Sequence, residues 1–85
     1  MIIEGATMTV NQVKFSIVKV KPSVLKSPDI ELTRQSFQMV FGKVPIILSA
    51  PDTRGNIQYH GRSDIVNFLA SYPPAKIPWA RYSVV

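Results

Sequence analysis

Between Val13 and Lys21 the chain reads V-K-F-S-I-V-K-V-K. Val13, Phe15 and Ile17 alternate with Lys14 and Ser16, the period-two pattern of a strand with one buried face. After Ile17 the phase slips, and Val18 and Val20 alternate with Lys19 and Lys21, which predicts a bulge near Ile17-Val18. Upstream, Ala6 to Val10 reads as a further strand, turning tightly through Asn11-Gln12. Ser27-Pro28-Asp29-Ile30-Glu31 is a helix start. Ser27 can accept a backbone N–H, Pro28 needs no donor at the first helical position, and Asp29 and Glu31 complement the positive end of the helix dipole. Ile30, Phe37, Val40 and Phe41 recur at helical spacing until Gly42.

Val44-Pro45-Ile46-Ile47-Leu48 shows no alternation and predicts a strand covered on both faces, with Pro45 at its start or on an edge. Pro51 to Asn56 is a turn, and Ile57 to His60 returns from it as the second strand of a hairpin. Gly61-Arg62-Ser63-Asp64 opens a second helix, whose Ile65, Phe68, Leu69 and Tyr72 form one apolar stripe until Pro73-Pro74. Trp79 to Val85 reads as a last strand. The principal sequence of elements, strand, helix, strand, hairpin strand, helix, strand, predicts an α+β domain of ferredoxin-like βαββαβ plan. Its four-stranded, mainly antiparallel sheet carries both helices on one face. Residues 1–85 form a single small domain on this reading.

Part of the chain resembles the second half of a thioredoxin or glutaredoxin domain, in which a Val-Pro pair leads a buried strand, a hairpin follows and a Gly-led helix packs back. Val44-Pro45, Ile46 to Leu48, Ile57 to Gly61 and Asp64 to Ala70 match that layout, over about a third of the chain. The resemblance implies a truncated thioredoxin-like α/β fold as the alternative architecture. The Cys-x-x-Cys of that family is missing and the N-terminal part has too few elements, so thiol–disulfide exchange does not carry over.

Composition narrows the chemistry. Of 85 residues, 46% are hydrophobic and only 18% charged, more apolar content than a core of this size comfortably hides. That predicts an exposed apolar patch and a homodimer or a protein partner, with the terminal strand and the apolar N-terminal segment as contact elements. There is no cysteine and one histidine, His60, so disulfides, thiol catalysis and the commonest zinc ligand sets are excluded within one chain. No G-x-S-x-G, Walker-type loop or defensible carboxylate pair is present, and no catalytic residue, metal or cofactor is expected. Met1-Ile2-Ile3 runs straight into Glu4-Gly5, without a signal-peptide core, and the apolar run Val44 to Leu48 is too short to cross a bilayer. The expectation is a cytoplasmic protein with no membrane association.

Two polar sets remain as candidate sites. Arg54, His60, Arg62 and Ser63, with Tyr59 and Asp64 nearby in sequence, suggest an anion- or phosphate-binding protein or a small enzyme. Free N–H groups at the start of the second helix favour an anion, Arg62 can clamp one, and His60 can serve as an acid or base. Lys19, Lys21, Tyr59 and Arg81 suggest a weak binder of single-stranded nucleic acid, through stacking and phosphate contacts on an open sheet face. A net charge of +5 favours anionic partners in general. The RNA-recognition consensus is absent, and Phe15 is in phase with core positions. The leading expectation is therefore a non-catalytic interaction module.

Overall fold

The computed structural model describes residues 2–83. Val84 and Val85, included in the expected last strand, lie outside them. The chain opens with a hairpin of β1 (Ile2–Val10) and β2 (Val13–Lys19). Asn11 and Gln12 both have positive φ, 50° and 67°, as the two central residues of a type I′ turn require. The turn matches the sequence reading, while β1 extends four residues further towards the N-terminus than the pattern suggested. Three short helical segments follow, α1 (Pro22–Leu25), α2 (Ile30–Ser36) and α3 (Gln38–Phe41). Then come β3 (Ile46–Pro51), β4 (Ile57–His60), α4 (Ser63–Ala70), a 3-10 turn at Pro74–Lys76 and β5 (Ala80–Ser83).

These strands form one five-stranded mixed sheet in the order β4-β3-β2-β1-β5. Neighbours are antiparallel except β2 and β3, which run parallel. A parallel pair cannot be closed by a tight turn; here α1 to α3 form the crossover. Residues that alternate along each strand enter two separate cores. Ala6, Phe15, Ile17 and Ile47 pack with Ile65 and Leu69 of α4 and with Ile77. Ile3, Val18, Ile46 and Leu48 pack against Val24, Leu25, Ile30, Phe37, Val40 and Phe41 of the α1–α3 layer. The helices thus cover both faces.

The ferredoxin-like expectation of four strands with both helices on one face is corrected accordingly. Among the described residues there are five strands, one pair is parallel, and each face has its own helical cover. The bulge expected near Ile17-Val18 is also absent, because pairing from Gly5↔Val18 to Val10↔Val13 is uninterrupted. Phe15, Ser16, Ile17 and Val18 are all buried because both sides of β2 are covered. Ser16, the polar member, has its hydroxyl 3.1 Å from that of Thr7 opposite, which satisfies a group that burial would otherwise penalise.

The helix expected from Ser27 to Gly42 begins later and is broken. Ser27 Oγ accepts the Asp29 N–H at 3.1 Å, but regular helix starts at Ile30 and is interrupted at Phe37. Pro45 stands just before β3, as a residue without an N–H donor to the ladder should, and its carbonyl accepts from Ser16 N–H at 3.0 Å. Within 44–70, β3, β4 and α4 follow one another, with Gly61 between β4 and α4. No helix among the described residues is long and apolar enough to cross a membrane.

Candidate functional site

The register places one residue of each strand in a row across the sheet. Tyr59 pairs with Ser49, Ser49 with Lys19, and Glu4 with Arg81. Lys19 Nζ closes the row by donating to Glu4 Oε2 at 3.0 Å. Lys19 also lies 4.4 Å from the ring centroid of Trp79, within cation–π range. The Trp79 indole N–H donates to Pro74 O at 3.2 Å, which anchors the ring. The Glu4 carboxyl is held below the usual glutamate range, first by the hydrogen bond from Lys19, then by its charge and, more weakly, by that of Arg81. Three of the four nucleic-acid candidates, Lys19, Tyr59 and Arg81, thus share a row.

That row is not an open stacking platform. Phe15 is 1% exposed in the core. Tyr59 packs against the α4 core, and its hydroxyl is buried without a hydrogen-bond partner. Burial raises its phenol above the ordinary value. The open sheet face expected for base stacking is covered by α4 and Ile77.

The fourth candidate, Lys21, is exposed at the residue before α1. It lines an open groove of about 510 Å³, formed where β2 ends and β1 begins. Ile2, Ile3, Val20, Val24 and Phe37 supply its apolar lining. Ile2 is 68% exposed. A neighbouring groove of about 300 Å³ lies between α1 and the β3–β4 turn, with Lys26, Pro51 and Asp52 among its residues. Both sit beyond the carboxyl ends of the parallel strands β2 and β3, the usual location of ligand crevices in sheets of this kind.

The anion-binding candidates divide between the two ends of β4. Arg54 sits in the β3–β4 turn, where its backbone N–H donates to Asp52 Oδ1 at 2.8 Å. His60 ends the strand and is followed by Arg62 and Ser63, so about 10 Å of strand separates this cluster from the turn. Arg62 Nε donates to Asp64 Oδ1 at 2.8 Å. His60 Nε2 lies 2.9 Å from Glu31 Oε1, and Arg34 donates to the other oxygen of Glu31.

Glu31 is held below the usual carboxylate range, first by the Arg34 hydrogen bond and then by that of His60. Desolvation, the largest single influence, pushes the Asp64 carboxyl up, but the Arg62 hydrogen bond and charge, with the N–H groups of Ile65 and Asp64, together outweigh it and leave the group low. The N-cap of α4 is Arg62, and no side chain caps the helix start. Gly61 brings the chain into α4 at φ 156°. A Cβ there would stand 2.5 Å from Ile47 Cδ1 and 2.9 Å from Ile46 O, so only glycine fits this close approach.

Sequence reasoning missed Glu4, Glu31, Trp79 and the groove. Glu31 looked committed to the helix dipole, and no local signal ties it to His60. Among the described residues no three His, Cys, Asp or Glu side chains gather as a metal site. No family model, curated protein or solved structure matches this chain.

Proposed function

We propose that this domain is a non-catalytic interaction module that docks a protein partner at the carboxyl end of β2. The observation that carries this reading is the groove of about 510 Å³ beside α1, with Ile2 exposed at its edge. Among the described residues the acid that lines it is Glu4, which is ion-paired with Lys19. Apolar lining with a charged rim is the anatomy of a protein-binding patch. The remaining large exposed apolar side chains among the described residues are Leu32, Met39 and Ile57. The two-sided core therefore absorbs most of the apolar surplus, and what is left is local. The N-terminal segment, expected as a contact element, forms β1 between β2 and β5, and its exposed Ile2 borders the groove. A cytoplasmic setting accords with a chain free of cysteine.

The competing reading is an anion-binding site at His60 and Arg62, whose side chains already face Glu31 and Asp64. A thermal-shift screen with phosphate, nucleotides and sugar phosphates separates the two. A ligand that binds the folded state raises the midpoint by mass action. The module reading expects no shift beyond that of matched salt. A saturable shift abolished by Arg62→Ala and His60→Ala would replace it with the anion-binding reading.

A further inference from the structure

We propose that the groove beside α1 receives an acidic peptide segment carrying a large apolar anchor, a reading that rests on the interaction-module assignment and names its partner. The groove is lined by apolar side chains together with Lys21 and the Lys19–Glu4 ion pair. Lys26, at the other end of α1, lines the neighbouring groove. Arg54 in the β3–β4 turn and Arg81 opposite Glu4 lie at the same end of the sheet. Among the described residues none of these four has a carboxylate partner within salt-bridge distance.

The acids near this end are engaged internally. Glu4 accepts from Lys19, and Asp52 Oδ1 accepts the N–H groups of Arg54 and Asn56. An apolar floor with Lys21 beside it, at an end of the sheet that also carries Lys26, Arg54 and Arg81, is matched by a segment with the opposite charge and one or two apolar side chains. Charge complementarity of this kind guides encounter and register, and the apolar anchor slows release.

Two other occupants fit less well. A second copy of this +5 chain would bring its own cations against Lys21 and Lys26. Nucleic acid would find no free ring for a base, because Phe37, the aromatic lining the groove, is packed against the Val18–Leu48 core.

The test uses the full 85-residue chain and a fluorescein-labelled peptide with a central Leu-Phe pair flanked on each side by three glutamates. Anisotropy should report saturable binding that weakens about fivefold with Lys21→Glu and at least as much with Ile2→Asp. Lys14→Glu, the same change in net charge at the far end of β2, should leave the affinity unaltered. A peptide with Ser-Ser in place of Leu-Phe should bind several-fold more weakly. Ile2 and Lys21 are both exposed, so these variants keep the fold, which circular dichroism verifies. The proposal is overturned by equal loss with Lys14→Glu, by no response to Lys21→Glu and Ile2→Asp, by tighter Lys21-dependent binding of a poly-dT oligonucleotide, or by sedimentation showing a dimer that Ile2→Asp dissociates. Absence of peptide binding would also overturn it, while the module reading would still stand or fall by the thermal-shift screen.

Discussion

His60 Nε2 and Glu31 Oε1 lie 2.9 Å apart although 29 residues separate them in the chain. The contact ties α2, in one helical layer, to the end of the edge strand β4. Glu31 also takes a hydrogen bond from Arg34, and both partners depress its carboxyl pKa, Arg34 the more. A carboxyl whose folded pKa is depressed stabilises the fold above its unfolded pKa, and that contribution is lost as pH falls through the folded value. Carbon-detected NMR should show Glu31 titrating below the ordinary glutamate value of about 4.3, with Arg34→Ala moving it up more than His60→Ala. An unperturbed midpoint in the native chain would remove this link between layers.

Tyr59 gives a second prediction with the opposite sign. Its hydroxyl is buried without a partner, so Tyr59→Phe removes an unsatisfied group and should leave stability unchanged or raise it by about 1 kcal/mol in urea unfolding. Desolvation raises the phenol pKa. The raised group contributes stability below its unfolded pKa, about 10, and that contribution is lost as pH climbs towards the folded value. Native stability should therefore fall above pH ~10 more steeply than that of Tyr59→Phe. A loss of 2 kcal/mol or more at neutral pH, on the order expected for a broken buried hydrogen bond, would mean the hydroxyl has a partner.

Glycine substitutions separate crowding from backbone strain. Gly61→Ala must displace Ile47 and meets the Ile46 carbonyl, so it should cost about 2–3 kcal/mol or more. Gly55 has φ 84° with nothing within 4 Å of its added Cβ, so Gly55→Ala should cost only about 1 kcal/mol, from the left-handed conformation alone. Equal costs in urea unfolding would show that the β4–α4 junction is looser than described.

The two-sided sheet is tested by adjacent truncations in β3. Ile46 packs towards the α1–α3 layer and Ile47 towards α4, and both are fully buried. Ile46→Ala and Ile47→Ala should each cost about 2–5 kcal/mol. In a sheet with one open face, one of them would be a surface change of about 0.5 kcal/mol or less.

Much of the fold was legible in local pattern. The alternation around Phe15, the Asn11-Gln12 turn, the unalternating Ile46 to Leu48 run and the Ile65–Leu69 stripe each specified their element, because each is a local preference that tertiary packing reinforces. Ile2 to Gly5 was not legible as strand, since it shows no alternation and contains a glycine. The one-turn α1 is too short to show a helical period. Val18 was misread as a phase slip because period-two reasoning assumes one dry face, whereas Ile17 and Val18 enter opposite cores. The row from Tyr59 to Arg81 and the Glu31–His60 contact were illegible for a different reason. They depend on strand order and on which face each helix covers, and neither leaves a trace in local spacing.

Docking of an acidic segment at the α1 groove is tested most directly by isotope-filtered NOE spectroscopy of the labelled protein with the unlabelled Leu-Phe acidic peptide. The expected result is intermolecular NOEs from the peptide leucine methyls to Ile2, Val20 and Val24, which line the groove. NOEs to Leu32 or Met39 on the outer helical surface instead, or none to the groove at saturation, would contradict it.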